Sequence, residues 1–250
     1  MPDRFPAHDR KVAAIAAAVK AGAGSGRPLQ IVRSTGVSHF VPLPNDRRYE
    51  GWRVDVGPLN EVLSIDPVGR TCTAEPGISF GELVPKTLAH GLIPTVVPEL
   101  EGITLGGAVA GCSVEAMSHK YGGFHDSCLE YELVTGEGEV LTCSPEKDPL
   151  VFGMIHGSYG TLAILTQVTF RLVPAKAYVH MEYRRHLTAR AFLDDMLALG
   201  RAGEYDLIDA IVHGPDCLVL CLGRFVDTAP YVSDYRVANV FYRKIGRAHV

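Results

Sequence analysis

Two adjacent glycines, Gly106 and Gly107, lie in the stretch of the chain with the clearest chemical potential, PELEGITLGGAVAGCS at residues 98–113. Backbone at glycine can approach a ligand closely, and the N–H groups that open a short helix can donate to phosphate oxygens. Hydroxyl groups that could add hydrogen bonds come from Thr104, Ser113 and Ser118. The pattern indicates a diphosphate site, and a tight turn with close helix packing accounts for the same glycines equally well.

His119 is the strongest candidate for proton transfer, because an imidazole changes its charge near neutral pH. The alternative is a loop histidine that only hydrogen-bonds to the backbone. For His125, His156 and Glu115 the sequence gives no identifiable partner, so these three rank below His119.

Other common site motifs are missing from the sequence or stand in the wrong context. The glycines of residues 22–26 follow a predicted helix, whereas a dinucleotide fingerprint follows a strand, so this run indicates a linker. The sequence has no P-loop and no G-x-S-x-G nucleophile turn. Its six cysteines include no C-x-x-C pair, which favours reduced thiols over a disulfide framework, and no metal-ligand spacing is recognisable. We therefore predict no metal site.

The composition of the 250-residue chain is that of a folded protein, with 47% apolar residues, 21% charged residues and a mean hydropathy of +0.11. A formal net charge of −4 gives no indication of a nucleic-acid partner or of an anionic membrane. The apolar stretch at residues 12–19 is much shorter than the roughly 20 residues that span a bilayer, and no signal-peptide pattern is present. We expect a cytoplasmic protein without a transmembrane segment.

The elements that must position the candidate residues are short strands and helices in mixed order. Helical spacing of apolar residues predicts a helix over residues 10–21, and short strands are predicted at 30–34, 52–56, 62–66 and 71–74. Ser79 and Glu82 form a capping box that predicts a helix over residues 80–90, ended by Gly91. A hairpin at 129–135 and 139–143, a helix near 148–155 and a strand over 165–173 follow. The fold class indicated is α+β.

Past Pro174 the pattern indicates a second α+β unit. A strand at 178–183, a helix at 191–199 and strands at 207–212 and 217–223 are predicted. Because the chain stops soon after these strands, we expect the second sheet to be incomplete and the chain to be a piece of a longer protein. The predicted domains are residues 1–175 and an incomplete domain at residues 176–250.

Several motifs, in the same order over residues 54–174, resemble the FAD-binding domain of the vanillyl-alcohol oxidase superfamily. The run ITLGGAVAGCSVEAMSHKYG at residues 103–122 is similar to the signature of its Δ24-sterol reductase branch, and YELV at 131–134, SYGTL at 158–162 and PAK at 174–176 are shared as well. The resemblance implies a PCMH-type FAD-binding domain of two α+β subdomains, followed by the start of an α+β substrate (cap) domain. It favours diphosphate binding as the reason for the paired glycines.

The resemblance also implies which residues hold the cofactor. Residues 104–116 would wrap the FAD diphosphate, Ser118, His119 and Gly122 would lie near the ribityl chain and the ring, and the backbone at Ile164 would lie along the flavin. Lys120 could stabilise negative charge on the reduced flavin, with a solvated loop lysine as the alternative. The predicted catalytic residues are His119 and Lys120. The predicted cofactor contacts are Gly36, Ser38, Pro98, Thr104, Leu105, Gly106, Gly107, Gly111, Ser113, Glu115, Ser118, His119, Gly122 and Ile164.

The first phosphate loop departs from the family pattern. Many members have a loop like RGGGHS whose histidine can bond covalently to the flavin, and the corresponding run here is RSTGVS at residues 33–38. Val37 occupies the histidine position, so we expect FAD to be dissociable. Gly36 and Ser38 can contact the diphosphate, or can belong to an ordinary turn at the end of a strand.

The activity that the resemblance implies is that of an FAD-dependent oxidoreductase. The flavin would accept hydride either from NADPH, before a carbon–carbon double bond is reduced, or from an alcohol that is oxidised. Similarity to the sterol reductases favours the first direction and a hydrophobic substrate. The alternatives are an aldonolactone or sugar oxidase of the same superfamily, and a flavin-binding module without turnover in a chain of this extent.

Overall fold

The computed structural model describes residues 5–33 and 50–233 of the chain. Helix α1 (Pro6–Ala23) packs on a small sheet of two parallel strands, β1 (Leu29–Val32) and β2 (Trp52–Asp55). The helix predicted over residues 10–21 is confirmed and is longer than predicted at both ends.

Packing of α1 on this sheet depends on one apolar face and on one glycine. Val12, Ile15 and Val19 are buried together with residues of β2, as the helical spacing predicted. A Cβ on Gly22 would lie 2.3 Å from Cδ1 of Trp52. Gly22 therefore allows the indole to approach the end of the helix. The turn after Ala23 links α1 to β1, so the predicted linker is present but begins two residues later than predicted.

The main sheet has six strands, and every pairing in it is antiparallel. Its order is β3-β4-β8-β6-β7, with β5 also pairing with β8. The strands are β3 (Val62–Asp66), β4 (Thr71–Ala74), β5 (Leu92–Pro94), β6 (Cys128–Val134), β7 (Val140–Cys143) and β8 (Ile164–Pro174).

Strand β8 lies at the centre of this sheet, and its burial pattern explains why the strand could be predicted from the sequence. Its buried positions alternate along the strand, with Val168, Phe170 and Leu172 on the core side, because successive side chains of a strand point to opposite faces. Thr169 and Arg171 lie on the other face, as predicted. The predicted hairpin is confirmed by the pairing of β6 with β7.

Short helices cover the core face of the main sheet. They are α2 (Phe80–Leu88), α3 (Leu105–Ala110) and α5 (Pro149–Ile155), whose buried apolar side chains belong to the main core, while α4 (Ser118–Tyr121) has no buried side chain. The predicted capping box is present, since the Ser79 side chain accepts from the Glu82 N–H and the Glu82 carboxylate accepts from the Ser79 N–H. Phe124 joins the layers, with its ring centroid 5.5 Å from that of Phe80 and 5.3 Å from that of Phe170.

The chain then forms a second unit with its own sheet and core. Strands β9 (Tyr178–His186), β10 (Leu207–Gly214) and β11 (Cys217–Val226) pair antiparallel in the order β10-β11-β9, and α6 (Ala189–Ala202) packs on one face. All four predicted elements are present, and the strands and the helix are longer than predicted. The predicted α+β fold class is confirmed.

A buried ionic cluster fastens α1 to the main sheet. His8 is 2% exposed, and its Nδ1 lies 2.9 Å from Glu75 Oε1 and its Nε2 3.1 Å from Glu132 Oε1. Lys11 Nζ donates to Glu75 as well. Burial alone lowers the pKa of His8, but the hydrogen bonds to Glu132 and Glu75 outweigh it and raise the pKa to about 9. The cluster therefore holds a protonated histidine at neutral pH.

Across the described residues, no helix combines the length and the hydropathy that crossing a bilayer requires.

Candidate functional site

The glycine segment begins beside the loop that joins β4 to α2. Phe80 N–H donates to Ile103 O at 2.9 Å and Leu105 N–H donates to Ile78 O at 2.9 Å, so the two stretches run antiparallel. The Leu105 side chain is fully buried in the main core. Leu105 could therefore contribute to the predicted site only through its backbone.

Gly106 is a glycine for reasons of packing. A Cβ at this position would lie 2.7 Å from Cβ of Pro76, closer than nonbonded carbon atoms approach. The Gly106 amide donates to Pro76 O at 2.8 Å. The prediction that both glycines offer bare amides is wrong for Gly106, because this amide already has a partner inside the protein.

Gly107 has no comparable packing constraint. The residue is exposed, and a Cβ on it would meet only Oγ1 of Thr104, at 3.2 Å. Its amide makes a long contact of 3.3 Å with the same oxygen, near the upper limit for a hydrogen bond. Gly107 thus presents open backbone and a weakly held N–H on the surface of α3.

Arg33 lies next to this backbone. Its Nη1 donates to Oγ1 of Thr104 at 2.7 Å, which brings a guanidinium to the first turn of α3. A guanidinium can donate to two phosphate oxygens at once. Sequence reasoning had not assigned Arg33 as a ligand, although it is the first residue of the RSTGVS run; the missing information was its contact with Thr104, 71 positions away in the chain.

The far end of α3 is held by a loop with unusual backbone. Gly111 ends the helix through an N–H that donates to Gly107 O at 2.9 Å, and Tyr159 N–H donates to Ala110 O at 3.1 Å. Cys112 and Tyr159 both have φ of 51°, a left-handed conformation that is costly for residues other than glycine. Such strain is often found at functional sites.

The predicted contacts downstream of α3 form a short hydrogen-bonded chain. Glu115 N–H donates to Ser118 Oγ at 2.9 Å, and Glu99 N–H, next to Pro98, donates to Glu115 Oε1 at 3.3 Å. Burial is the main cause of the raised pKa of Glu115, and the carboxylates of Glu99 and Asp209 add to it. Pro98 is itself buried. Ser113 is half-buried between these residues and α3.

Gly122 closes the segment. Its φ of +76° lies in the region that favours glycine, and a Cβ there would meet Oδ2 of Asp126 at 2.3 Å. Ile164 approaches from β8, where its side chain is 7% exposed within the core around α1. Any contact of Ile164 with a ligand would therefore be made by its backbone.

His119 and Lys120 point toward the second unit. His119 Nδ1 lies 3.0 Å from Ala116 O and Nε2 lies 3.2 Å from Tyr205 O, while Lys120 Nζ lies 3.1 Å from Asp206 Oδ1. In this arrangement the polar atoms of both side chains face protein partners. The catalytic roles predicted for them stay predictions.

Two predicted contacts, Gly36 and Ser38, lie outside the described residues, as does Val37. The remaining predicted contacts, apart from Ile164, lie on one stretch of chain between residues 98 and 122. Arg33 contacts this stretch through its hydrogen bond to Thr104.

The two lower-ranked histidines meet in a pocket elsewhere. This pocket of about 310 Å³ is lined by His125, His156 and Arg171, among others, and by no residue of the 104–122 segment. Tyr131 OH lies 3.0 Å from His156 Nε2, and the two histidine rings are 5.0 Å apart. Burial lowers the pKa of His156, and the nearby His125 lowers it further.

The residues present fit a dinucleotide cofactor with a diphosphate. Gly107 leaves open backbone where a side chain would obstruct a phosphate, and the Arg33 cation lies beside it. Gly106 does not add a free amide. The fit rests on one open glycine and one cation rather than on a row of bare amides.

Comparison with known sequences gives two kinds of match. A family model described as FAD binding domain matches residues 8–144, more than half of the chain. A Delta(24)-sterol reductase homolog of Caenorhabditis elegans is 28% identical over 261 residues, covering 98% of this chain and 49% of the relative. Human Delta(24)-sterol reductase is 29% identical over 171 residues, covering 68% of this chain and 33% of the relative. The chain thus spans about half of the first relative and a third of the second.

Among solved structures, 6-hydroxy-D-nicotine oxidase from Arthrobacter nicotinovorans matches with a TM-score of 0.61 at 19% identity, covering 85% of this chain and 48% of that chain. At this identity the match shows that the two proteins share a fold. It supports the PCMH-type architecture expected from the sequence.

Proposed function

The chain belongs to the family of FAD binding domains, and from this premise we propose that it is the flavin-binding part of an FAD-dependent oxidoreductase. Residues 104–122, together with Arg33, hold the cofactor in this proposal. The chain spans only part of the length of its relatives. The activity of the whole protein therefore belongs to the proposal.

The observation that carries the proposal is the contrast between the paired glycines. Gly106 is required by Pro76, whereas among the described residues a Cβ on the exposed Gly107 would meet one side-chain atom, Oγ1 of Thr104 at 3.2 Å. Glycine inside a helix costs about 1 kcal/mol relative to alanine. A ligand that must approach the backbone closely accounts for that cost. The Arg33 guanidinium beside Thr104 makes an anionic ligand the best fit.

Each residue then has a limited task. Gly107 and Arg33 bind the diphosphate, Thr104 holds Arg33 in place, and Ser113, Ser118 and Gly122 lie along the path toward the ring. Pro98, Leu105 and Ile164 act through their backbone, since their side chains are buried. Gly36 and Ser38 complete the phosphate contacts, with dissociable FAD because Val37 offers no group for covalent attachment. FAD, when bound, supplies a ring that accepts and passes on hydride.

The names of the relatives support a proposal for the substrate, and NADPH is proposed as the electron donor. One of the relatives is named Delta(24)-sterol reductase and another a homolog of it, which favours reduction of a carbon–carbon double bond in a hydrophobic substrate. A cytoplasmic location belongs to the same proposal. An aldonolactone or sugar oxidase is the second candidate within the superfamily.

Anaerobic mixing separates these activities. We expect purified protein loaded with FAD to lose its visible flavin absorbance when NADPH is added, because hydride reduces the ring. Loss of absorbance only with sugars or lactones would favour the oxidase. A loaded protein that no donor reduces would be a flavin-binding module in a chain of this extent, and a protein that cannot be loaded with FAD would contradict the whole proposal.

A further inference from the structure

The loop between α3 and α4 is bonded directly to the second unit. Ala116 O accepts from Ile208 N–H at 2.8 Å. Residue 208 lies on β10, which is an edge strand of its sheet. This contact therefore uses a backbone group that the second sheet leaves available.

His119 extends the same junction. This residue lies on α4; one ring nitrogen faces Ala116 O in the loop before the helix, and the other faces Tyr205 O of the second unit. Tyr205 is 3% exposed and belongs to the core of that unit. Its carbonyl is thus a fixed acceptor, and His119 donates to it in the tautomer that carries the proton on Nε2.

An ion pair completes the junction. Lys120 Nζ lies 3.1 Å from Asp206 Oδ1, and the side chains are 25% and 35% exposed. Asp206 is held at its other oxygen by Phe225 N–H at 2.8 Å. The hydrogen bond from Phe225 fixes the Asp206 carboxylate within the second unit. The ion pair with Lys120 therefore connects α4 to that unit.

We propose that Ala116, His119 and Lys120 dock the second unit onto the cofactor segment, so that FAD binding and the placement of the second unit are coupled. His119 and Lys120 are then positioning residues. The coupling rests on the proposed function, because residues 104–122 must be the FAD site for it to exist. If FAD stabilises the docked arrangement, docking strengthens FAD binding by the same factor.

Asp206 offers the decisive variant, because it lies in the second unit and is not a predicted cofactor contact. Asp206→Asn removes the charge that pairs with Lys120 and keeps an oxygen that can accept from Phe225 N–H. Asp227→Asn is the matched control, since it removes the ion pair of Asp227 with Lys176 at 2.8 Å elsewhere in the chain. Two quantities are measured: hydrogen exchange of the Ile208 amide without FAD, and the dissociation constant for FAD.

In Asp206→Asn we expect the Ile208 amide to exchange faster, on the order of threefold to tenfold, while amides within the β9–β11 pairing are unchanged. We expect FAD to bind more weakly, by a factor no larger than the rise in exchange, because the affinity falls with the docked fraction. Asp227→Asn should match the wild type in both measurements.

Unchanged exchange at Ile208 would overturn the docking. Faster exchange with unchanged FAD affinity would overturn the coupling and leave the proposed function intact. A wild type that binds no FAD would overturn the proposed function and the coupling with it, while the exchange measurement would still judge the docking.

Discussion

Gly106 and Gly107 are adjacent in sequence but are glycines for different reasons. Gly106 lies against Pro76, whereas Gly107 is exposed beside Thr104, whose hydroxyl accepts from Arg33. A phosphate could therefore approach Gly107 and not the occupied amide of Gly106. At the scale of single residues, the proposed site is a small set: one open glycine, one cation and the hydroxyl that holds the cation.

Replacing Arg33 tests the charge in this set. Arg33→Met should weaken FAD binding roughly tenfold, because hydrogen bonds to charged groups contribute about 1.5–3 kcal/mol each. The check is a titration of the unloaded protein with FAD, followed by flavin fluorescence. Arg53→Met, on the exposed face of β2, is the control and should bind like the wild type. Equal affinity in Arg33→Met and the wild type would remove Arg33 from the site.

The sequence predicted the glycine segment but not the different reasons for which Gly106 and Gly107 are glycines. The pattern of two glycines before a short helix was readable, because local geometry at glycine is a local property. Pro76 lies close to Gly106 and Arg33 close to Thr104 because of how distant parts of the chain pack. The sequence around residue 106 does not predict either contact.

At the scale of elements, the buried cluster of His8, Glu75 and Glu132 determines where α1 lies. The folded protein raises the pKa of His8 to about 9 from 6.5. Its stabilising charge is therefore fully present below pH 6.5 and is lost as the pH rises through 9. Burial tends to raise the pKa values of Glu75 and Glu132, but their hydrogen bonds with His8 outweigh it and lower both, so their contribution is lost in acid.

His8→Gln should therefore lose stability in a pH-dependent way. At pH 6 the free energy of unfolding should be lower than that of the wild type by on the order of 3 kcal/mol, from the size of the pKa shift. The difference should shrink as the pH rises past 9. Urea unfolding at several pH values measures it, and His90→Gln, at an exposed histidine, is the control. A difference that does not change with pH would show that the charge of His8 contributes nothing.

Most elements were predictable, because their signals are local. The Ser79 capping box, the alternation along β8 and the bounds of β3 and β4 follow from turn chemistry and side-chain period. The start of α1 was predicted four residues late, since its first turn carries His8, which looks like a surface residue until Glu75 and Glu132 are placed beside it.

At the scale of the whole chain, Ala116 in the loop before α4 and His119 and Lys120 on α4 hydrogen-bond to the second unit. His119 and Tyr205 are 86 positions apart, as are Lys120 and Asp206. No periodicity connects residues at such separation. The resemblance to a family supplied the PCMH-type fold, and the domain boundary near residue 175 stays a prediction.

The most direct test of the account is FAD binding to Gly107→Val compared with Gly153→Val. Both variants place a β-branched side chain at an exposed helical glycine. Apart from the backbone of its own helix, a Cβ at 153 meets no described atom within 4 Å, and one at 107 meets Oγ1 of Thr104 at 3.2 Å. Titration of each unloaded protein with FAD should show saturable binding for the wild type and for Gly153→Val, and at least a hundredfold weaker binding for Gly107→Val, on the order of the loss of two charged hydrogen bonds. Equal affinity in the two variants would contradict the claim that a phosphate lies against the backbone of Gly107.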